Sequence, residues 1–159
     1  MARALLLTSL TVAAVATSLA AQSPRPAASA DTAAPGTRTV AVGKTARGAV
    51  TARDERLPSD STYAQAWTID GRAGETVTID LRSDEFDPFL YLDGPGIARA
   101  LQDDDSGGAC NARLTATFPQ TGTYRIVVNT AARNATGRFT LSVAAGSTPP
   151  SLARCARTQ

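Results

Sequence analysis

The sequence contains no histidine, and this absence removes several kinds of chemistry at once. Without an imidazole ring, neither a Ser-His-Asp or Cys-His nucleophile nor a zinc site with histidine ligands can be built. Aromatic residues make up only 5% of the 159 residues, so a core must come mainly from Val, Leu, Ile and Ala. Paired carboxylates remain possible for hydrolysis, but the only tryptophan, Trp67, is in phase with Ile69 as a core residue rather than a platform in a substrate cleft.

Strong net charge and helical periodicity are also missing. The formal net charge is only +2 and the arginines are spread along the chain, so no basic patch indicates nucleic-acid binding. Between residues 39 and 145 no window of helical length carries an apolar stripe with the 3.6-residue period. A helical fold is therefore not expected.

The first 20 residues have the features of a secretory signal peptide. Arg3 precedes a mostly apolar run over residues 4–16, and the segment ends with small residues at Ser18 and Ala20. A transmembrane helix is the alternative, but the run is shorter than the roughly 20 apolar residues that a bilayer requires. We expect a protein that is secreted or periplasmic, with no transmembrane segment after leader cleavage.

Composition divides the rest of the chain into three parts. Residues 21–38 are rich in Pro, Ala and Ser without apolar periodicity, which predicts a disordered linker, either a flexible tether or a pro-segment that is trimmed off. Residues 39–145 are expected to form one domain of ordinary size. Residues 146–159 contain one Gly and two Pro and no strand pattern, which predicts a flexible tail.

Apolar and polar residues alternate through most of residues 39–145. The clearest runs lie at residues 76–81, 113–118 and 138–143, and each has the pattern of a half-buried strand. Turn residues separate the runs at regular spacing. We therefore predict an all-β fold, an antiparallel two-sheet β-sandwich of the jelly-roll or immunoglobulin-like kind with seven or more strands. The predicted core contains Trp67, Ile79, Leu90, Phe118, Tyr124, Ile126 and Leu141.

Tyr124 is singled out by its place in the chain. It follows a turn at residues 119–122. A buried ring there, with its hydroxyl bonded to nearby backbone, would lock the corner as in the tyrosine corner of other sandwiches.

A β-hairpin is predicted with its turn centred between Pro95 and Gly96. With that centre, Leu90 faces Leu101 and Asp87 faces Asp104. The register would bring acidic residues together at the open end of the hairpin.

The first strand of this hairpin is apolar on both faces. Phe89 and Tyr91 point one way, and Leu90 and Leu92 point the other way. This pattern is typical of a strand inside a sheet, with one face on the core and the other covered by a loop or a partner.

The open end of the hairpin is a candidate metal site. Like charges facing each other are destabilising unless they splay into water or share a cation. Calcium prefers six to eight oxygen ligands, which carboxylates and amides supply. The alternative is a solvated acidic loop of the kind common at protein surfaces. The candidate calcium ligands are Asp87, Asp103, Asp104, Asp105 and Asn111.

The two cysteines, Cys110 and Cys155, are expected to be exported, which favours a disulfide. With about 45 intervening residues, such a bond would stabilise the fold by roughly 4 kcal/mol and fasten the tail across the acidic loop. Two free thiols are the alternative, because Cys155 lies in a tail with no other anchor.

Eight short motifs in order resemble the bacterial pre-peptidase C-terminal domain. The resemblance implies a secreted, non-catalytic β-sandwich of the kind appended to extracellular proteases and other exported hydrolases. It also implies links to secretion, to substrate or matrix binding and, in related collagen-binding modules, to calcium. The chain departs from the usual setting because its 159 residues leave no room for a protease domain. The motifs are GAV at 48–50, YAQAW at 63–67, GETVTIDL at 74–81, FDPFLYL at 86–92, DDD at 103–105, NARL at 111–114, TGTYRIVV at 121–128 and GRFTL at 137–141.

The leading functional hypothesis is an exported, non-catalytic binding or accessory domain for an extracellular protein or polysaccharide, with calcium as its candidate ion. The first alternative is a small secreted hydrolase that depends on the same aspartates. The second is a purely structural component of the cell envelope.

Overall fold

The computed structural model describes residues 38–156. The predicted signal peptide lies outside the described residues, as do residues 157–159 and all of the predicted linker except Arg38. Half of the described residues are in strands. This part of the chain contains no helix that is long and apolar enough to cross a membrane.

Ten strands form two sheets that pack against each other. They are β1 (Arg38–Thr39), β2 (Lys44–Val50), β3 (Glu55–Arg56), β4 (Tyr63–Gly71), β5 (Thr76–Arg82), β6 (Pro88–Asp93), β7 (Leu101–Asp103), β8 (Ala112–Thr117), β9 (Gly122–Thr130) and β10 (Gly137–Ala145). The larger sheet has the order β1-β4-β9-β6-β7, with β3 also paired to β4. The smaller sheet has the order β2-β10-β5-β8. Every pair except β1 with β4 is antiparallel, which confirms the predicted β-sandwich.

Alternating side chains fill the space between the sheets. In β5, Val77, Ile79 and Leu81 are fully buried because successive side chains of a strand point to opposite faces. Burying each such side chain contributes about 1.5–3 kcal/mol. Trp67 is 6% exposed and the other six predicted core residues are fully buried. The core prediction is confirmed.

Tyr124 locks the turn that precedes β9. Its ring is fully buried and stacks on Phe118 with a centroid distance of 4.3 Å. Its hydroxyl oxygen lies 2.7 Å from the carbonyl oxygen of Gln120 and 2.9 Å from that of Pro95. The same oxygen accepts a hydrogen bond from the Gln120 amide at 3.2 Å. The predicted tyrosine corner is confirmed, and it also reaches the loop after β6.

The predicted hairpin exists as β6 and β7, but its predicted register is wrong by two residues. Leu90 faces Asp103 rather than Leu101. Asp87 and Asp104 lie outside the paired residues, so they do not face each other within the ladder as predicted.

Tertiary packing of the connecting loop explains the shifted register. The loop occupies residues 94–100, and the Ile97 amide donates to the carbonyl of Gly94 at 3.1 Å. Ile97 packs against the core. Gly94 has a φ of +152° and lies against the Tyr124 ring, where a Cβ would come within 2.5 Å of a ring carbon. The loop is therefore longer than the tight turn that its glycines suggest.

The tyrosine corner can be tested by removing one oxygen atom. We expect Tyr124→Phe to lower the free energy of unfolding by about 0.5–1.5 kcal/mol, because partly buried main-chain groups of Gln120 and Pro95 lose the hydroxyl as their hydrogen-bond partner. Denaturant unfolding measures the change, with an unchanged m value as the sign that the fold is intact. Tyr91→Phe, on a half-exposed ring, is the matched control and should change stability little. Equal effects of the two substitutions would contradict the role of the corner.

Candidate functional site

The loop between β7 and β8, called the acidic loop below, carries most of the predicted metal ligands. Asp103 Oδ1 accepts hydrogen bonds from the amides of Ser106 at 3.0 Å and Arg113 at 2.7 Å. Asn111 Oδ1 accepts from the Ser83 amide at 3.1 Å, and its Nδ2 donates to a carbonyl of the loop itself at 2.8 Å. These two side chains therefore shape the loop and join it to the segment after β5.

Two carboxylates lie close to the disulfide, next to the start of β6. Asp87 is 7% exposed. A carboxylate oxygen of Asp87 and one of Asp105 lie within 4.8 Å of each other and of the sulfur atoms of Cys110 and Cys155. The structure thus brings together side chains that are 18 positions apart in sequence, although the hairpin register differs from the predicted one.

Asp104 belongs to the same group of charges. Its Oδ1 is buried and has no hydrogen-bond partner among residues 38–156. Burial is the main cause of the raised pKa of the Asp104 carboxyl, followed by the negative charges of Asp105, Asp87 and Asp103. An ionised carboxylate at this position is destabilised unless positive charge is nearby.

A disulfide joins Cys110 and Cys155, which confirms the predicted pairing. The bond fastens the C-terminal residues to the acidic loop. A main-chain hydrogen bond from Ser151 to Ser106, at 2.7 Å, supports the same contact. Closing a loop of 45 residues contributes roughly 4 kcal/mol on the chain-entropy model.

The charge group gives a pH-dependent prediction. Because the pKa of Asp104 is raised above that of the unfolded chain, its penalty is absent below pH 3.8 and grows as pH rises through the folded-state pKa. We therefore expect Asp104→Asn to raise the melting temperature at pH 7, and the gain over wild type to shrink toward pH 3.8. Thermal melts across this range measure the difference. Asp84→Asn, at an exposed position, is the control, and a gain for Asp104→Asn that is constant with pH would contradict the assignment.

The outer face of the larger sheet carries a second candidate site. The rings of Phe89 and Tyr91 are half-buried and lie 4.8 Å apart between centroids. Leu90 and Leu92, on the opposite face of the strand, are fully buried. The sequence pattern correctly placed one face of β6 on the core.

Small apolar side chains form a floor beside the rings. The register places Ala66 opposite Val127 and Val127 opposite Tyr91, so the three side chains lie in one row across the sheet. With Ala64 and Leu57 they line a depression of about 250 Å³. We call the two rings together with this floor the aromatic face.

An ion pair borders the aromatic face. Arg125 donates to one carboxylate oxygen of Asp93 at 2.7 Å through Nη2 and at 3.1 Å through Nε. This hydrogen bonding raises the pKa of Arg125. The sequence alone did not indicate Arg125, Ala66 or Val127 as site residues. Alternation along β9 could place Arg125 and Val127 outside, but their position beside Tyr91 depends on the strand order.

Comparison with solved structures identifies the fold. The pre-peptidase C-terminal domain of collagenase from Bacillus anthracis matches with a TM-score of 0.51 and 13% identity, over 67% of this chain and 93% of that chain. Two periplasmic inhibitors of g-type lysozyme, from Salmonella Typhimurium and Aeromonas hydrophila, match with TM-scores of 0.46 and 0.48 and identities of 17% and 19%. Each covers 69% of this chain, and the match spans 98% and 97% of their own lengths.

No family model and no curated protein matches the sequence. The resemblance to the pre-peptidase C-terminal domain is confirmed at the level of the fold.

Proposed function

We propose that this chain is an exported, non-catalytic accessory domain that binds an extracellular protein through its aromatic face. The half-exposed rings of Phe89 and Tyr91, 4.8 Å apart and beside a depression with an apolar floor, carry the proposal. Aromatic residues and Arg are enriched at the centres of protein interfaces, and Arg125 lines the same depression. The disulfide supports export, because such bonds form and persist in oxidising compartments.

A polysaccharide is the alternative occupant of the aromatic face. Sugar rings also stack on aromatic side chains, but they need hydrogen-bond partners for their hydroxyl groups. The floor of Ala64, Ala66 and Val127 offers no polar side-chain atoms. The charged residues that line the depression are Glu55 and the ion pair of Asp93 with Arg125, whose groups already bond to each other. This chemistry favours an apolar patch on a protein.

The environment of the aspartates supports a non-catalytic role. Asp87 is 7% exposed, so a substrate has little access to its carboxylate. Asp103 Oδ1 already accepts two main-chain hydrogen bonds. A carboxylate hydrolase needs its acid and its second carboxylate on either side of a bound substrate, whereas here Asp87 is buried beside the exposed Asp105 and the disulfide.

A calcium ion at the acidic loop is the second part of the proposal. Carboxylate oxygens are the hard ligands that calcium prefers, and Asp87, Asp104 and Asp105 would hold the ion. The unpartnered buried oxygen of Asp104 supports this fit. Asp103 and Asn111 would hold the loop, because their Oδ1 atoms accept main-chain hydrogen bonds. The ion would neutralise repulsion that burial makes stronger.

Calcium should therefore stabilise the folded domain. At a free concentration 100-fold above Kd, we expect a gain of about 2.7 kcal/mol in the free energy of unfolding and a rise of several degrees in melting temperature. The double substitution Asp104→Asn, Asp105→Asn should abolish the response and leave the metal-free protein at least as stable, since it removes repulsion. Calorimetric melts in calcium and in chelator measure both effects. Equal melting temperatures for wild type in millimolar calcium and in chelator would show a solvated loop instead.

Binding at the aromatic face can be tested with a paired substitution. Phe89→Ala, Tyr91→Ala should abolish capture of a partner from the exported protein fraction, since truncating a central aromatic residue typically costs about 2 kcal/mol or more, about 30-fold in Kd. The captured protein is then purified, and calorimetry measures its Kd for the wild-type domain and for the ring variant. Leu152→Ala, at a side chain that is 97% exposed on the tail, is the control for loss of apolar surface.

The outcomes separate the alternatives. A partner lost with the ring pair and retained by the control supports the proposal. Equal capture by wild type, the ring variant and the Leu152→Ala control contradicts it. Binding of a polysaccharide, and of no protein, through the two rings also contradicts it. Turnover of peptide or polysaccharide at mildly acidic pH that Asp87→Ala abolishes would establish the hydrolase.

A further inference from the structure

The outer face of the smaller sheet presents two arginines on either side of a threonine. The register places Arg47 of β2 opposite Thr140 of β10, and Thr140 opposite Arg82 of β5. Residues directly opposite each other in an antiparallel pair point to the same face, and two strand spacings separate the arginine backbones by about 10 Å. All three residues line one surface groove of about 540 Å³.

Neither arginine has its charge fully neutralised by a carboxylate. The Arg47 side chain is exposed, and its guanidinium makes no hydrogen bond or ion pair with any residue in the described range 38–156. Arg82 approaches Asp80 at 3.6 Å. The same oxygen of Asp80 receives two shorter contacts from Arg113, both 2.8 Å. Positive charge is thus left at the groove for a ligand from outside.

The acidic residues of the groove do not cancel this charge. Glu85 is engaged by Arg138, which donates to it from Nε at 2.6 Å and from its backbone amide at 3.0 Å. Asp84 also lines the groove and is exposed to solvent. Three arginines and two carboxylates line the groove, so positive charge is in excess there.

The C-terminal residues leave this part of the sheet open. They cover the neighbouring part instead, where the Thr148 amide donates to Thr78 Oγ1 at 2.8 Å and Thr78 is 1% exposed. The open part offers polar groups, because Thr45 lies opposite Ser142 in the row next to the arginine row. Phe139 also lines the groove but is itself 4% exposed. Such a surface lacks the apolar centre of a protein interface.

We propose that Arg47, Thr140 and Arg82 bind a carboxylate group of an acidic polysaccharide. The planar fork of a guanidinium matches a carboxylate in geometry as well as charge. The threonine hydroxyl between the two arginines can donate to the same anion. The site lies on the opposite face of the sandwich from Tyr91, so it goes beyond the proposed protein-binding function. Together the two faces would let one domain hold a protein on an acidic matrix.

The test compares two double variants with the same change in net charge. Arg47→Gln, Arg82→Gln removes the two guanidiniums of the groove, and Arg99→Gln, Arg133→Gln removes two exposed arginines from other loops. Calorimetry measures binding to a polyuronate, with dextran as the neutral polymer. We expect a loss of at least about tenfold for the first variant, because charge-assisted contacts are the strong ones. The control should stay within about twofold at moderate salt, where distant exposed charges are screened.

A lysine pair tests the geometry of the site. Arg47→Lys, Arg82→Lys keeps the charge and loses the fork, so its affinity should lie between those of wild type and the glutamine pair. Thermal melts establish that all variants are folded. Equal losses for the groove and control variants would overturn the proposal, as would undetectable binding of polyuronate by wild type. Tighter binding of a polyphosphate or of DNA than of polyuronate would also overturn the assigned carboxylate class.

Discussion

The whole structure depends on filling the space between two sheets with strands that each offer one apolar face. Because side chains alternate with a period of two, every residue assigned to the core fixes the outward position of its neighbours. Leu90 and Leu92 are buried and leave Phe89 and Tyr91 outside. The same rule leaves arginine and hydroxyl side chains outside the smaller sheet. Two chemically different surfaces therefore follow from one packing constraint.

The loops at the edges of the sandwich are held by side chains that bond to the main chain. The Tyr124 hydroxyl joins two turns, and Asp103 and Asn111 brace the acidic loop. The disulfide between Cys110 and Cys155 adds a covalent constraint on the same loop. Carboxylates are thus concentrated where the backbone is already fixed. Because the loop cannot move them apart, their mutual repulsion persists, and a bound cation would relieve it.

Local sequence signals predicted the fold and the core, whereas the sites depend on contacts between distant segments. Alternation of apolar and polar residues is a local property, so the strands and the burial of Tyr124 could be predicted from the sequence alone. The register of β6 and β7 could not, because it is set by Ile97 and Gly94 packing on residues far along the chain. The row from Arg47 to Arg82 depends on strand order in the same way.

The central claim is that the outer face of the larger sheet, rather than the acidic loop, binds the partner. The most direct test is a heteronuclear NMR titration of the folded domain with the captured partner, following backbone amides. The account predicts that the largest shifts occur at Tyr91, Arg125 and Val127. Shifts centred on Asp104 and Asp105, with those of the aromatic face unchanged, would contradict it.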